Sequence, residues 1–204
     1  MLAEFARLGP VADNYLEADP RILRAIAHPL RQALFYELYA RGSATATMLG
    51  TALDKPVNSV SFHLRQLAKY GLIEADTAAA GDGRERWWKP AAEDGLRVCH
   101  SEVANTEEGE AAYAIFRRTN VAHWASLMEQ VFSPRQDEGE VWTSNDVPML
   151  LTDEEAREYA EELFALMEKW MRRGQKARAG DPDRRTYLSL AMLLPHQPRA
   201  DLPD

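Results

Sequence analysis

Residues 57–69 (VNSVSFHLRQLAK) bring together side chains suited to hydrogen bonding with nucleic acid. Asn58, Ser59 and Ser61 open the segment. An asparagine amide can bond adenine at N6 and N7 together, and hydroxyls reach bases or phosphates. The same residue types also simply favour a helix N-terminus. Phe62 suits a thymine methyl, or packing against a neighbouring element. His63 suits a phosphate donor, or an interior histidine at the flank of a core. Lys55 and Arg65 are placed for phosphate contact, and Arg84 and Arg86 for a minor groove or phosphates. Thr45 completes this set of contact candidates, and it or Ser43 caps the helix that follows it.

Elements must position these groups. At 100° per residue, Val57, Val60, Leu64 and Leu67 form one stripe that must face a core. Asn58, Phe62, Arg65 and Lys69 lie roughly opposite. Pro56 suits a first helical turn, and Gly71 a positive-φ residue past the helix end. A shorter helix with Met48, Leu49 and Leu53 precedes. Strands at Leu72–Asp76 and Arg84–Lys89 follow, with a tip at Thr77–Gly83. Helix, turn, helix and two strands are the order of a winged helix-turn-helix, whose second helix lies in the DNA major groove.

Three runs, LRAIAHPLRQALFYEL (23–38), SVSFHLRQLAKYGLIEA (59–75) and RERWWK (84–89), resemble the ArsR-type winged-helix transcriptional regulators. His-Pro-Leu-Arg (28–31) and Ser-x-His-Leu (61–64) with Gly-Leu-Ile (71–73) carry the likeness, over about 75 residues. It implies a homodimer bound to double-stranded DNA, and it puts His63 within the signature of the second helix. The chain departs from the family in having Phe62 where a basic residue is common. The cysteine motif of the metal-responsive members is absent.

The formal net charge of −8 is unevenly spread over the 204 residues. Residues 20–90 carry ten Lys/Arg against six Asp/Glu, a net of +4, which leaves −12 for the remainder. A basic module on an acidic body is consistent with DNA binding through one face. Cys99 is the single cysteine, so no disulfide framework forms within the chain and a reducing, cytoplasmic setting is expected. No apolar run approaches 18 residues, so neither a membrane span nor a signal peptide is expected.

Along the rest of the chain, residues 1–19 form an arm with Leu2, Phe5, Leu8, Val11, Tyr15 and Leu16 at roughly helical spacing. A helix with Ile22, Leu23 and Ile26 ends before Pro29, because the residue preceding a proline avoids the helical region. A second runs to Arg41 and stops at Gly42. A boundary is expected within Pro90–Gly95, followed by one long helix from about Ser101 to Phe132. Val141–Leu151 reads as a strand. Thr152-Asp-Glu-Glu155 is a capping box opening a helix to about Arg178, with Ala156, Tyr159, Leu163, Met167 and Trp170 on its stripe. Thr186–Leu194 alternates Leu188, Leu190, Met192 and Leu194 and reads as a strand.

The expected fold is α+β and mainly helical: a winged helix-turn-helix followed by an α/β extension of helix, strand, helix, strand. Residues 1–19 are the arm, 20–96 the DNA-binding domain and 97–204 a dimerisation and effector domain. Trp124, Trp142 and Trp170 would line a pocket for a small apolar effector, or else serve as core and dimer interface. No four-ligand metal cluster, nucleotide-binding glycine motif or hydrolase motif is present, so neither an enzyme nor a metal- or cofactor-dependent protein is expected. Two rivals to a DNA-binding regulator remain: a winged helix that binds protein, and a ligand sensor whose second half dominates.

Overall fold

The computed structural model describes residues 2–4, 14–79, 85–133, 141, 143–145, 147–176, 181 and 183–195. The arm contributes strands β1 (Leu2–Glu4) and β2 (Tyr15–Glu17). Helices α1 (Pro20–Ile26) and α2 (Pro29–Arg41) follow, then strand β3 (Ala44–Thr45). Helices α3 (Ala46–Leu53) and α4 (Val57–Lys69) form the helix-turn-helix, and β4 (Ile73–Ala75) and β5 (Trp87–Pro90) the wing. Beyond them lie β6 (Gly95–Val98), α5 (His100–Val103), α6 (Glu107–Val131) and α7 (Asp153–Gln175). The chain is α+β and mainly helical, and it contains the expected winged helix-turn-helix. Among the described residues no helix is long and apolar enough to cross a membrane.

Local signals account for most of these ends. Asp19 caps α1 by accepting from the Ile22 amide at 2.8 Å. Thr45 caps α3 through the Met48 amide at 3.3 Å. Gly71 ends α4 at φ +73°, with open space where a side chain would stand. Thr152 and Glu155 form the capping box, each side chain bonded to the other's amide.

One core joins the pieces. Leu23 and Ile26 of α1, Leu34 and Leu38 of α2, Leu49 of α3 and Leu64 and Leu67 of α4 are fully buried, together with Leu72 and Ile73. Burying each leucine or isoleucine contributes about 1.5–3 kcal/mol. Helix α6 lays its first half along α1 and adds Tyr113 and Phe116 to this core. Inside that contact Gln32 of α2 donates to the Asn120 side-chain oxygen at 2.6 Å, and both residues are buried. Such a pair fixes the seating of α6, because a slip would strand two polar groups away from water.

Two small sheets complete the body. In one, β5 lies between β3 and β4 and is antiparallel to both, with Ala44 and Ala75 each opposite Trp88. In the other, β6 lies between β1 and β2 and is parallel to both, with Leu16 opposite Leu96. The arm is therefore strand where it is described, contrary to the helical spacing read from the sequence, and its pairing partner is β6 of its own chain. Strand β6 also spans the boundary expected at residue 96.

Three further expectations are corrected. The long helix is broken: α5 ends at Val103 and α6 restarts after Thr106, whose hydroxyl accepts from the Gly109 amide at 3.1 Å. Gly109 lies so close to Val103 that a Cβ there would collide with its carbonyl oxygen. Neither expected strand of the extension forms among the described residues of 141–151 and 186–194. Alternation supplies two faces, but a strand also needs a neighbour for its backbone, and none pairs with these segments among the described residues. Finally, α7 meets α2 at its C-terminal end, where Gln175 donates to the Tyr39 carbonyl at 2.8 Å, and Met171 packs on the core, whereas Trp170 of the expected stripe is 57% exposed.

Candidate nucleic-acid interface

Helix α4 is held by its buried side. Val60, Leu64 and Leu67 have no solvent exposure, which leaves the opposite face free. Val57, read as the first residue of that stripe, is instead 44% exposed, because it lies in the first turn, before α4 reaches the core. On the free face Asn58, Phe62, Arg65 and Lys69 are all exposed, and Phe62 is exposed by 51%. The Asn58 side-chain oxygen accepts from the Ser59 amide at 2.9 Å, which steadies the first turn and leaves the Asn58 NH2 group as a donor. Ser59 and Ser61 are half-buried beside it. Lys55 in the turn is exposed. Among the described residues no carboxylate pairs with Lys55, Arg65 or Lys69, so three cations face outward from the turn and helix without a counter-charge.

Other candidates are placed differently. Thr45 is buried and its hydroxyl is committed to the cap of α3, so the helix-turn-helix does not present it. Arg86 is exposed at the base of the wing with its guanidinium 5.1 Å from the Trp88 ring centre. Arg84 lies outside the described residues. Glu85 holds the wing base to α3 by accepting from the Thr47 hydroxyl at 2.5 Å.

His63 turns inward. Its ring centre is 4.6 Å from that of His28, and Phe62 meets it edge-on at 5.2 Å. Its Nδ1 is buried without a hydrogen-bond partner among the described residues. Burial, with His28 and Arg31 nearby, pushes its pKa below the ordinary histidine value. It is therefore neutral at neutral pH, which weakens it as a phosphate donor and makes it part of the packing beneath α4.

That packing explains the His-Pro-Leu-Arg run. His28 Nδ1 accepts from the Leu30 amide at 3.2 Å and caps α2, while Pro29 occupies its first turn. Arg31 donates to the Ala25 and Arg24 carbonyls at the end of α1. From the other side the Thr119 hydroxyl of α6 donates to the Ala27 carbonyl at 3.0 Å. A continuous set of contacts thus joins α6, the α1–α2 hinge, His28, His63 and α4.

Sequence reasoning missed a second junction. Asp94 is buried, accepts from the Asn14 amide at 3.1 Å and from Arg172 at 3.0 Å, and so ties the arm and α7 to the chain just before β6. Arg172 also donates to Glu168 at 2.7 Å. A lone aspartate in a bend carries no periodic signal, so only the tertiary arrangement discloses it.

The three tryptophans expected to line a pocket lie on different parts of the chain. Trp124 belongs to α6, which packs on α1, and Trp170 to α7, which packs on α2, with the Arg173 guanidinium 5.0 Å from the Trp170 ring centre. Trp142 lies outside the described residues. An open cleft of about 440 Å³ lies elsewhere, between α2 and α6, lined by Pro29, Gln32, Arg118, Thr119 and His123 among others. Among the described residues no group of three or more His, Cys, Asp or Glu could hold a metal ion.

Residues 26–75 match the model of a helix-turn-helix domain family, from the end of α1 through α4 into β4. The match spans about a quarter of the chain and covers the whole reading unit. The chain carries a helix-turn-helix domain over these residues, and β4 and β5 complete the element order of a winged helix-turn-helix. Two solved structures are similar in part. One is the homodimeric winged helix-turn-helix DNA-binding domain of a possible ArsR-family transcriptional regulator from Mycobacterium bovis, at 19% identity and a TM-score of 0.30, over 58% of this chain and 84% of that one. The other is a MarR family transcription regulator, at 22% identity and a TM-score of 0.32, over 78% of this chain and 82% of that one. At this distance neither bears on the fold, which rests on the family match and the order of elements. No curated protein matches the sequence.

Proposed function

We propose that the protein is a sequence-specific DNA-binding transcriptional regulator that acts as a homodimer on a palindromic operator, without a metal effector and without catalysis. The observation that carries this is the two-sided character of α4. Val60, Leu64 and Leu67 of its apolar stripe are fully buried, and its exposed side offers Asn58, Phe62, Arg65 and Lys69 with no ion pair among the described residues. In a winged helix-turn-helix that side enters the major groove, and one such helix reads only a few base pairs. Two helices related by a twofold axis read a palindrome, which is why a dimer is the expected form. In the assigned roles Asn58 reads bases, Ser59 and Ser61 support it, and Lys55, Arg65 and Arg86 contact phosphates, together with Arg84 of the wing.

Binding of the full chain to DNA from its own upstream region, measured at several salt concentrations, tests this. Arg65→Ala should weaken binding and reduce the slope of log K against log salt by about 1. Unchanged affinity and slope would remove α4 from the interface. Tag-free protein should hold less than one equivalent of zinc, nickel or copper per subunit; a tightly held equivalent whose chelation alters DNA affinity would refute metal independence.

A further inference from the structure

Helix α4 carries one apolar ring on a face that is otherwise polar. Asn58, Phe62, Arg65 and Lys69 follow one another along its exposed side, and half of the Phe62 surface is open to water. Among the described residues the ring contact of Phe62 is His63, met edge-on at 5.2 Å and an interplanar angle of 82°. The His63 ring in turn lies 4.6 Å from that of His28, whose Nδ1 accepts from the Leu30 amide at the start of α2. The phenyl ring is therefore backed by a stack that ends on the body of the protein. Residues four apart stand one above the other on a helix, about 6 Å along its axis. Base pairs repeat about every 3.4 Å along the duplex. Asn58 and Phe62 are thus spaced to address positions about two base pairs apart.

We infer that Phe62 is a specificity-determining residue, which selects a thymine in each operator half-site by covering its 5-methyl group, about two base pairs from the base that Asn58 reads. The inference rests on the DNA-binding reading above and deepens it by naming part of the sequence recognised. The chemistry of the groove narrows the choice. In the major groove guanine, cytosine and adenine present hydrogen-bond donors and acceptors, and thymine alone adds a methyl group. A phenyl ring can answer none of the donors or acceptors. Set against them, it would strip their water and give nothing in return. Against the methyl it removes apolar surface of both partners from water. Phosphates are no better a target, because the ring has no N–H or O–H to offer, and Lys55 and Arg65 beside it supply that contact. Contact also costs a free side chain its rotational freedom. The edge of His63 reduces that cost by limiting the ring beforehand, which makes His63 a positioning residue. The face then reads as an amide for adenine, a ring for thymine and cations for the backbone.

The test uses the full chain and the duplexes it selects from a random-sequence pool. Replacing a thymidine by deoxyuridine deletes the methyl and keeps every hydrogen-bonding group of the base. The selected half-sites should share a thymine about two base pairs from an adenine. Deoxyuridine at that position should weaken binding by roughly 4-fold per half-site, the equivalent of one methyl group withdrawn from water. Phe62→Ala should bind the thymidine and deoxyuridine duplexes alike, and no more tightly than the unaltered chain binds the deoxyuridine duplex. The ring is half exposed, so the variant is expected to fold, and an unchanged denaturation midpoint checks this. A deoxyuridine penalty of equal size in both proteins places the methyl against another residue and overturns the inference. No penalty in the unaltered chain, or selected half-sites without a shared thymine, overturns it as well. All three of these results leave the DNA-binding reading intact. Failure to select any duplex defeats that reading and the thymine contact with it.

Discussion

From Pro20 to Val98 the helices direct their apolar stripes to one interior, and Leu23, Ile26, Leu34, Leu38, Leu49, Leu64 and Leu67 have no exposure at all. From Val141 to Leu194 the chain is comparably rich in leucine, valine and methionine, yet Leu150, Leu166, Met192 and Leu194 remain at least half exposed. The first region is closed on itself. The second is attached at a few points, by Arg172 to Asp94 and by Gln175 to Tyr39. A core completed within one subunit gives stability that does not depend on protein concentration, and an exposed leucine adds little to it.

The sharpest way to break this contrast is to truncate one leucine in each region. Leu64→Ala should destabilise the protein by about 2–5 kcal/mol in denaturant titration, because the cavity lies where α1, α2 and α4 meet. Leu166→Ala, measured at dilute protein, should change stability by less than about 0.5 kcal/mol. Equal losses would show that the second region has a closed core of its own.

The junction between the regions comes next. Arg172→Ala removes the charged partner of buried Asp94 and should cost about 1.5–3 kcal/mol. Limited proteolysis should then cut within α7 before the body is attacked. Simultaneous cleavage of both would mean that α7 and the body unfold as one unit.

A smaller effect follows from pH. Burial lowers the pKa of His28, His63 and His123 below the ordinary 6.5. Below about 6.5 the unfolded chain takes up protons that the folded chain resists, so the unfolded state binds more protons and stability rises with pH there. Stability should hold above neutrality and fall as pH drops from about 6.5 through the lowered values. His63→Gln should flatten the decline, as read from denaturation midpoints between neutral and mildly acidic pH. A decline of equal slope in the variant would place its source elsewhere.

The smallest effect on stability belongs to Phe62. Phe62→Ala should shift stability by less than about 0.5 kcal/mol, since the ring is half exposed and only edges His63. Its effect should fall on DNA affinity instead, and unaltered binding would remove Phe62 from the contact set.

The contrast between regions also separates what the sequence disclosed from what it concealed. Helix α4 was legible because Val60, Leu64 and Leu67 recur at helical period and Gly71 marks the stop. The hinge at Pro29 and the cap at Thr152 were equally local signals. The pairing of β2 with β6 was not, since three-residue strands are too short to show a period and their partners lie about 80 positions apart. The break at Thr106 was hidden by apolar residues that continue past it. In Leu188, Leu190, Met192 and Leu194 the opposite error arose, because alternation describes what a strand would expose and is silent on what would pair with it. The inward turn of His63 depends on His28, which the sequence places 35 positions away.

The Gly109 contact sets a direction as well as a fit. Helix α6 has 25 residues, so it extends roughly 37 Å from that joint. A side chain at 109 would have to push the Val103 carbonyl aside, and a pivot of roughly 10° there would carry the far end about 6 Å sideways, as a rod of that rise per residue requires. The missing Cβ therefore works as a setting screw at the short end of a long lever, and a single added methyl would be felt most at the end of α6 farthest from it.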